Sequence, residues 1–170
     1  MKVLLGDKPI QLLGKKPKVG FLFDKQFRIP PAYNTKKPLS DKCLEKGLVI
    51  LSTLPNIRSH ACSAQVLDLE EECKQRGLDA AIFHVACDCP EHWSEVKKLH
   101  PFLRAKGFTL EDANPTDVET FAMSLGVAVK GSLRIAHGLF AFRNGKLVKS
   151  YIPKQQYGVP NVKRFLDGLE

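Results

Sequence analysis

The sequence predicts an α/β fold in which helices flank a mixed central sheet and a β-hairpin stands at the N-terminus. Short apolar runs that suit buried strands alternate with segments of helical period. An Asn-Gly dipeptide between two further apolar runs is the strongest short-range signal for a hairpin. The resulting order, strand, helix, strand, helix, helix, hairpin and helix, indicates parallel crossovers combined with an antiparallel hairpin. A chain of 170 residues suits one such unit, so we expect a single domain over 1–170.

The first third of the chain predicts strands and loops. Lys2–Leu5 and Pro9–Leu13 flank Gly6-Asp7-Lys8, and a glycine-containing link of this length predicts the opening hairpin. Residues 14–47 are rich in lysine, proline and polar residues, so we expect loops with only short extended stretches. Leu48–Leu54 is an apolar run that predicts a strand buried on both faces, and a proline ends it.

A helix is predicted from about Ser59 to Arg76, with Gly77 as its C-terminal signal. Its apolar residues recur at spacings of four, three and four positions, which places them on one helical face. That face consists of Cys62, Val66, Leu69 and Cys73.

The remaining elements complete the predicted order, which fits a thioredoxin-like fold. Prolines and glycines supply the starts and ends of the helices, and Asn144-Gly145 supplies the hairpin turn. The predicted elements are a strand at Asp79–Cys87, helices at Pro90–Leu99 and Asn114–Leu125, hairpin strands at Leu139–Phe142 and Lys146–Tyr151, and a terminal helix at Pro160–Leu169.

Composition excludes several classes of protein. The 26 basic and 18 acidic residues give a net charge of +8, but the basic residues are scattered, so we expect a solvated surface and no nucleic-acid partner. No apolar run approaches the length of a membrane helix, and the first residues lack the apolar stretch of a secretory signal. Five cysteines at irregular spacings argue against a disulfide framework. We therefore expect a cytoplasmic protein with no membrane partner.

The junction between the strand at Leu48–Leu54 and the following helix is the predicted reactive site. If Ser59 is the N-cap, Cys62 lies in the first turn, where free backbone N–H groups and the helix dipole favour an anion. A thiolate is such an anion, and it is the nucleophilic form of cysteine. The alternative interpretation is that Cys62 only packs in the core, since cysteine is often buried.

Pro55, Ser59 and Cys62 match the pattern Pro-x-x-x-Thr/Ser-x-x-Cys, and by this motif the chain resembles the peroxiredoxins. The similarity extends over nearly the whole chain towards the thiol peroxidase branch of that family. It includes the opening hairpin with Pro17-Lys18-Val19-Gly20, Asp88-Cys89-Pro90, Leu125-Gly126-Val127 and the late hairpin.

This resemblance implies a function and a set of site residues. Cys62 would be the peroxidatic cysteine, which reduces hydrogen peroxide or an organic hydroperoxide and becomes a sulfenic acid. Pro55 would shield the thiolate, while Ser59 and Arg134 would stabilise the charge that develops on the departing oxygen. No metal, flavin or nucleotide cofactor is implied. The expected partners are the peroxide, thioredoxin or another thiol reductant, and a second copy of the chain in a homodimer.

The resolving cysteine is the main departure from the thiol peroxidase branch, since Lys97 stands at its expected position. Cys73 lies on the predicted helix about 16 Å from Cys62 by helical rise, beyond the ~7 Å limit between the Cα atoms of a disulfide. Cys89 follows the second buried strand and is the best internal candidate. The alternative is direct reduction of the sulfenic acid by an external thiol.

Three competing interpretations remain open. The chain can be a thioredoxin-fold redox-sensing or binding module with little peroxidase turnover, which the missing helical resolving cysteine favours. Nucleic-acid binding would require the basic residues to cluster on one face. Cys87-x-Cys89 can also be half of a metal site, although no second pair of ligands with suitable spacing accompanies it.

Overall fold

A six-stranded mixed sheet organises the chain, whose computed structural model describes all residues 1–170. The strands are β1 (Lys2–Leu5), β2 (Lys8–Leu13), β3 (Arg28–Ile29), β4 (Pro31–Tyr33), β5 (Leu39–Ser40), β6 (Leu48–Leu54), β7 (Ala80–Ala86), β8 (Lys106–Thr109), β9 (Ala128–Val129), β10 (Gly138–Arg143) and β11 (Lys146–Tyr151). The helices are α1 (His60–Arg76), α2 (Pro90–Leu99), α3 (Pro115–Leu125) and α4 (Val162–Leu166), with a 3₁₀ turn at Asp41–Leu44.

The main sheet has the strand order β11-β10-β6-β7-β8-β4. Strands β6, β7 and β8 run parallel, whereas β10, β11 and β4 join antiparallel to their neighbours. A small second sheet contains the opening hairpin β1-β2 with β9, and β3 pairs with β5. The predicted α/β, thioredoxin-like architecture with its N-terminal hairpin is confirmed.

Both faces of the main sheet are covered, as the continuous apolar run of β6 predicts. All of β6 is buried, and alternate residues enter different layers of the core. Val49 and Leu51 pack in the layer that contains Phe121 of α3, whereas Leu48 and Ile50 pack in the layer of α1 and α4. A third group of apolar side chains joins the start of α1 to α2.

Helix α1 begins and ends where its capping residues predict. Ser59 is the N-cap, and its side chain accepts a hydrogen bond from the backbone of the first turn. Gly77 ends the helix in a left-handed conformation with φ of 61°, which glycine adopts without steric cost. The predicted bounds of α2 and the late hairpin also agree closely with the structure.

Three elements differ from the sequence-based expectations, whereas β3, β4 and β5 are short extended stretches of the kind expected within 14–47. The strands β8 and β9 were not predicted, because each is only two to four residues long and depends on pairing with a distant partner. Within β8, Gly107 leaves room for the indole ring of Trp93, which explains a glycine inside a strand. Helix α4 covers only five residues of the terminal segment, since Asp167 already has extended backbone angles.

The strand arrangement brings three chain segments to one edge of the main sheet. The carboxyl ends of β6 and β7 are adjacent, because Leu54 pairs with Ala86. Strand β10 begins at this edge, with Gly138 opposite Thr53. The segments that follow β6 and β7 and the segment that precedes β10 therefore meet there.

None of the helices is both long and apolar enough to cross a membrane.

Candidate active site at the start of helix α1

Cys62 lies in the first turn of α1, as the sequence predicts. Its backbone N–H donates to the Ser59 hydroxyl at 3.1 Å. The backbone N–H of Ser59 in turn donates to the carbonyl of Asn56 at 3.0 Å, which closes the loop before the helix. The local sequence thus holds Ser59 and Cys62 in a fixed relation at the helix start.

The sulfur of Cys62 is buried, and the residue is 0% exposed. Burial raises the pKa of the Cys62 thiol, and the negative charge of Asp88 raises it further. Hydrogen bonds from Ser59 and from the backbone of Asn56 act in the opposite direction but do not outweigh burial. The helix start favours an anion, as expected, yet loss of hydration prevails, and the thiol stays protonated at neutral pH.

His137 contacts the sulfur of Cys62 through its Nε2 atom at 3.7 Å. It precedes β10, and the pairing of Gly138 with Thr53 carries it to the end of β6, next to the start of α1. Its backbone N–H donates to the side-chain oxygen of Gln156 at 2.7 Å. Burial lowers the pKa of His137 to about 4, so its imidazole is neutral.

A buried amide connects His137 to β6. Gln65, one turn after Cys62, lies 2.8 Å from His137 Nδ1 through its side-chain oxygen. Its side-chain nitrogen donates to the Ser52 hydroxyl at 2.6 Å. His137 and Gln65 were not predicted as site residues, because only the long-range pairing of β10 with β6 brings them together. The nearest sequence signal is the position of His137 directly before the hairpin strand.

A cavity of about 530 Å³ adjoins this site, and apolar side chains form most of its wall. Three of the predicted site residues, Pro55, Ser59 and Arg134, line it together with His137. Cys62 itself does not line the cavity. The lining residues are Val3, Leu5, Ile10, Pro55, Asn56, Ser59, His60, Ala61, Val129, Arg134, Ile135, Ala136, His137, Gln156, Tyr157, Gly158 and Val159.

Asp88 fixes the loop between β6 and α1 from the neighbouring strand end. One carboxylate oxygen accepts from the backbone N–H of Ile57 at 2.8 Å, and the other lies 2.9 Å from Nδ1 of His92 on α2. The Asp88 side chain is only 7% exposed. This carboxylate therefore joins the starts of α1 and α2 and orders the loop that carries Pro55 and Ser59.

The two cysteines after β7 occupy different surroundings. Cys87 is close enough to Cys62 and Arg134 for their charges to act on it, and burial raises the pKa of Cys87 to about 11. Cys89 is the N-cap of α2, and a hydrogen bond with Glu91 raises the pKa of Cys89. Cys87 is thus the cysteine with an electrostatic link to Cys62, a distinction that the sequence analysis did not make.

The other residues considered for resolution lie elsewhere. Cys73 is buried among the apolar side chains between α1 and α4. Cys43 is exposed within the 3₁₀ turn, and Lys97 is exposed on α2. No group of three or more histidine, cysteine, aspartate or glutamate side chains is arranged to hold a metal ion. Cys87 and Cys89 accordingly have no further ligands beside them.

No family model and no curated protein matches the sequence. Solved structures, however, have the same fold. The thiol peroxidase from Chromobacterium violaceum is 11% identical with a TM-score of 0.80, and the match covers 99% of this chain and 95% of that one. A peroxiredoxin-like protein from Aquifex aeolicus is 17% identical with a TM-score of 0.75, covering 96% and 92%.

AhpC from Enterococcus faecalis matches as well, at 16% identity and a TM-score of 0.69, with 94% of this chain and 90% of that one covered. All three alignments span nearly the whole chain. The chain therefore has the peroxiredoxin form of the thioredoxin-like fold, which confirms the resemblance that the sequence predicts.

Proposed function

We propose that this protein is a thiol peroxidase of the peroxiredoxin type, in which Cys62 reduces a hydroperoxide. The observation that carries the proposal is the position of Cys62 in the first turn of α1, with Ser59 as the N-cap, beside a cavity that Pro55, Ser59 and Arg134 line. The motif residues and Arg134 are thus arranged as attack of the Cys62 sulfur on a peroxide in the cavity would need. The reaction requires a peroxide and a thiol reductant. It requires no metal, flavin or nucleotide.

The reaction consumes one hydroperoxide for each turnover. The sulfur of Cys62 attacks the terminal oxygen of ROOH, the S–O bond forms and the O–O bond breaks. The products are the sulfenic acid of Cys62 and the alcohol ROH. Arg134 carries a permanent positive charge, and Ser59 carries a hydroxyl, so both suit the negative charge that develops on the departing oxygen.

The cavity favours organic hydroperoxides over hydrogen peroxide. Its wall consists mainly of apolar side chains, and Ser59 and Arg134 are among the polar residues that line it. An alkyl group would remove this apolar surface from water, whereas hydrogen peroxide has no apolar part to bury.

Access to the sulfur requires a movement of the first turn of α1. Cys62 is fully buried and does not line the cavity, whereas Ser59 and His137, which both contact it, do line the cavity. Unwinding of this turn would bring the sulfur to the cavity. The same movement would let the sulfenic acid meet a second thiol.

Three routes for reducing the sulfenic acid remain in competition. Cys89 is the candidate from the sequence analysis, and Cys87 is a rival because its electrostatic neighbours include Cys62. The third route is direct attack by thioredoxin or another external thiol. Peptide mapping of peroxide-treated protein under non-reducing conditions distinguishes them: a Cys62–Cys89 or Cys62–Cys87 disulfide supports an internal route, and a sulfenic acid that persists in both Cys→Ser variants supports the external one.

A homodimer is part of the proposal. Large apolar side chains remain exposed near the cavity, among them Leu133 at 92% and Tyr157 at 76%. A second copy packed against this side would cover them. Sedimentation equilibrium measures the mass, and a monomer at all concentrations would remove this part of the proposal.

A redox-sensing module is the second candidate function. The observation that favours it is the raised pKa of Cys62, which keeps the resting thiol protonated and slow to react. A sensor would be oxidised once by peroxide but would not turn over with a thiol reductant.

Intact mass after one equivalent of hydroperoxide, with and without a trap for sulfenic acid, tests the proposal. In a peroxidase, Cys62 becomes either a sulfenic acid, which adds one oxygen to the mass, or an internal disulfide, which removes two hydrogens. The protein returns to the starting mass when thiol is added, with one ROH formed per cycle. Cys62→Ser should abolish this reaction, whereas Cys73→Ser, a buried cysteine on the same helix, should preserve it. If the mass of the wild-type protein does not change, or if Cys62→Ser still consumes peroxide, the proposal fails.

A further inference from the structure

A chain of buried polar side chains runs from the reactive sulfur into the main sheet. Cys62 Sγ lies 3.7 Å from His137 Nε2, and His137 Nδ1 lies 2.8 Å from the side-chain oxygen of Gln65. Gln65 then donates to the Ser52 hydroxyl at 2.6 Å. All four residues are buried, with His137 only 3% exposed.

The surroundings of Gln65 determine where the imidazole carries its hydrogen. The carbonyl of Thr53 lies 3.4 Å from the amide nitrogen of Gln65, and a carbonyl can only accept. The amide nitrogen must therefore face Thr53, and the amide oxygen must face His137. Because that oxygen also only accepts, His137 Nδ1 carries the hydrogen, and the lone pair of Nε2 points to Cys62.

We propose that His137 is a further catalytic residue, which accepts the proton of the Cys62 thiol as the sulfur attacks the hydroperoxide, and that Gln65 is the positioning residue that holds its ring in the accepting tautomer. This inference rests on the proposed peroxidase function, which it deepens. A Cys–His–Gln arrangement is not part of the motif that identified Cys62.

The proton transfer balances the reaction. The sulfur loses electron density as its bond to the terminal oxygen forms, so its proton becomes acidic and passes to His137 Nε2. The O–O electron pair leaves on RO⁻, and the imidazolium of His137 returns the proton to that oxygen. One thiol and one ROOH thus give one sulfenic acid and one ROH, with His137 unchanged.

The other polar groups around Cys62 are unsuited to this role. Ser59 and the backbone of Asn56 act on the sulfur as hydrogen-bond donors. The Asp88 carboxylate is already engaged by Ile57 and His92. Cys87 donates to the carbonyl of Leu133. His60 and Arg134 line the cavity but are exposed, and the guanidinium of Arg134 cannot accept a proton.

His137→Gln tests the inference, and His84→Gln is the matched control. His84 is also a fully buried histidine, but neither of its ring nitrogens has a hydrogen-bond partner. The rates of Cys62 oxidation by hydroperoxide and of Cys62 alkylation are measured from pH 4 upwards by peptide mass. At neutral pH His137→Gln should react about 100-fold more slowly, the usual contribution of a general base, while His84→Gln should keep the wild-type rate.

The pH profile separates a proton acceptor from a structural residue. As the pH approaches the pKa of the Cys62 thiol, solvent removes the proton without help, so the deficit of His137→Gln should shrink. A structural role would leave the same deficit at every pH. Equal rates for His137→Gln and wild type at neutral pH, or a deficit that does not change with pH, would overturn the inference.

Gln65 has its own pair of variants. Gln65→Met keeps the volume but loses the hydrogen bond, so it should lower the rate. Gln65→Glu keeps an acceptor on Nδ1 and adds a negative charge that favours the imidazolium, so it should retain activity and move the acid limb of the pH profile to higher pH. If both variants lower the rate and neither moves the profile, Gln65 has no positioning role.

Two further measurements keep the inference separate from the peroxidase proposal and from folding. If wild-type protein consumes no peroxide but its alkylation still depends on His137, the peroxidase proposal fails and the proton acceptor stands. If His137→Gln does not fold, the ¹⁵N chemical shifts of the wild-type ring decide the question. A hydrogen on Nδ1 supports the inference, and a hydrogen on Nε2 overturns it.

Discussion

The protonation state of Cys62 depends on opposing effects within a few residues. The N-terminus of α1, Ser59 and the backbone of Asn56 favour a thiolate, whereas burial and Asp88 favour the thiol. Burial has the largest effect, since a charged sulfur would lose its hydration. The resting protein thus protects its thiol, and reactivity depends on the local opening and on the proton acceptor beside it.

The pH dependence of Cys62 alkylation follows from this balance. Because burial raises its pKa, half-maximal reactivity should occur above the value of an unstructured thiol, about 8.5. The alkylation rate of the Cys62 peptide is followed by mass against pH in the folded protein. A midpoint well below about 8.5 would show that the helix start outweighs burial.

Arg134→Ala should slow the oxidation of Cys62 without unfolding the protein. The side chain lines the cavity and is exposed, so its removal should change stability by less than about 0.5 kcal/mol. Loss of its charge should lower the second-order rate constant about tenfold or more, and less at high salt because exposed charges are screened. Stopped-flow measurement with an organic hydroperoxide gives the rate constant.

Lys130→Ala is the matched control for Arg134→Ala, since Lys130 is an exposed cation near by in sequence that does not line the cavity. Its rate constant should equal that of the wild-type protein. If both variants lose the same factor, the effect belongs to net charge and not to Arg134.

The local sequence defines where helix α1 begins and ends. Ser59 caps the helix, Gly77 ends it, and the apolar face of Cys62, Val66, Leu69 and Cys73 is buried. The N-cap serves two purposes here, because the hydroxyl that accepts from the backbone N–H of Cys62 also contributes to the surroundings of the sulfur.

Ser59→Thr and Ser59→Val test this double role with side chains of nearly equal volume. The threonine variant keeps the hydroxyl, so it should be close to neutral in stability and in the rate of Cys62 oxidation. The valine variant has no acceptor, so it should lose about 1 kcal/mol of unfolding free energy, as proteins that lose an N-cap do, and should also slow oxidation. Urea unfolding and peroxide kinetics measure the two effects. Equal behaviour of the two variants would contradict the role of the hydroxyl.

The whole molecule is built around one sheet whose two faces are both covered. Strand β6 contributes to both main layers of the core, so neither layer can lose its packing without the other. We therefore propose that residues 1–170 unfold as one unit. Two histidines, His84 and His137, are buried in this unit.

These histidines should make the protein less stable in mild acid. Burial lowers the pKa of His84 to about 3 and that of His137 to about 4, whereas an unfolded histidine titrates near 6.5. Their contribution is complete above about pH 6.5 and is lost as the pH falls towards the folded values, because the unfolded chain binds more protons there. Between pH 7 and pH 5 each should lower the free energy of unfolding by about 2 kcal/mol.

Urea unfolding at pH 5 and pH 7 measures this loss of stability. If residues 1–170 unfold as one unit, near-UV and far-UV circular dichroism should report one coincident transition. His84→Gln removes one of the two groups and should show about half of the pH effect. Equal wild-type stability at pH 5 and pH 7 would contradict the prediction.

The local sequence by itself determined the long elements and the position of the candidate nucleophile. Apolar periodicity, Ser59, Gly77 and Asn144-Gly145 act over a few residues, so β6, α1 and the late hairpin were predicted with nearly correct bounds. The motif of Pro55, Ser59 and Cys62 also lies within one short segment, and the fold of solved peroxiredoxins agrees with the resemblance it carries.

Only the tertiary structure decided which groups surround the sulfur and how burial acts on it. The short strands β4, β8 and β9 depend on distant partners. The pairing of β10 with β6 brings His137 to Cys62 across 75 positions of the chain, and burial then raises the pKa that the helix start alone would lower. Strand register and hydration depend on the packing of the whole chain, so no local pattern contains them.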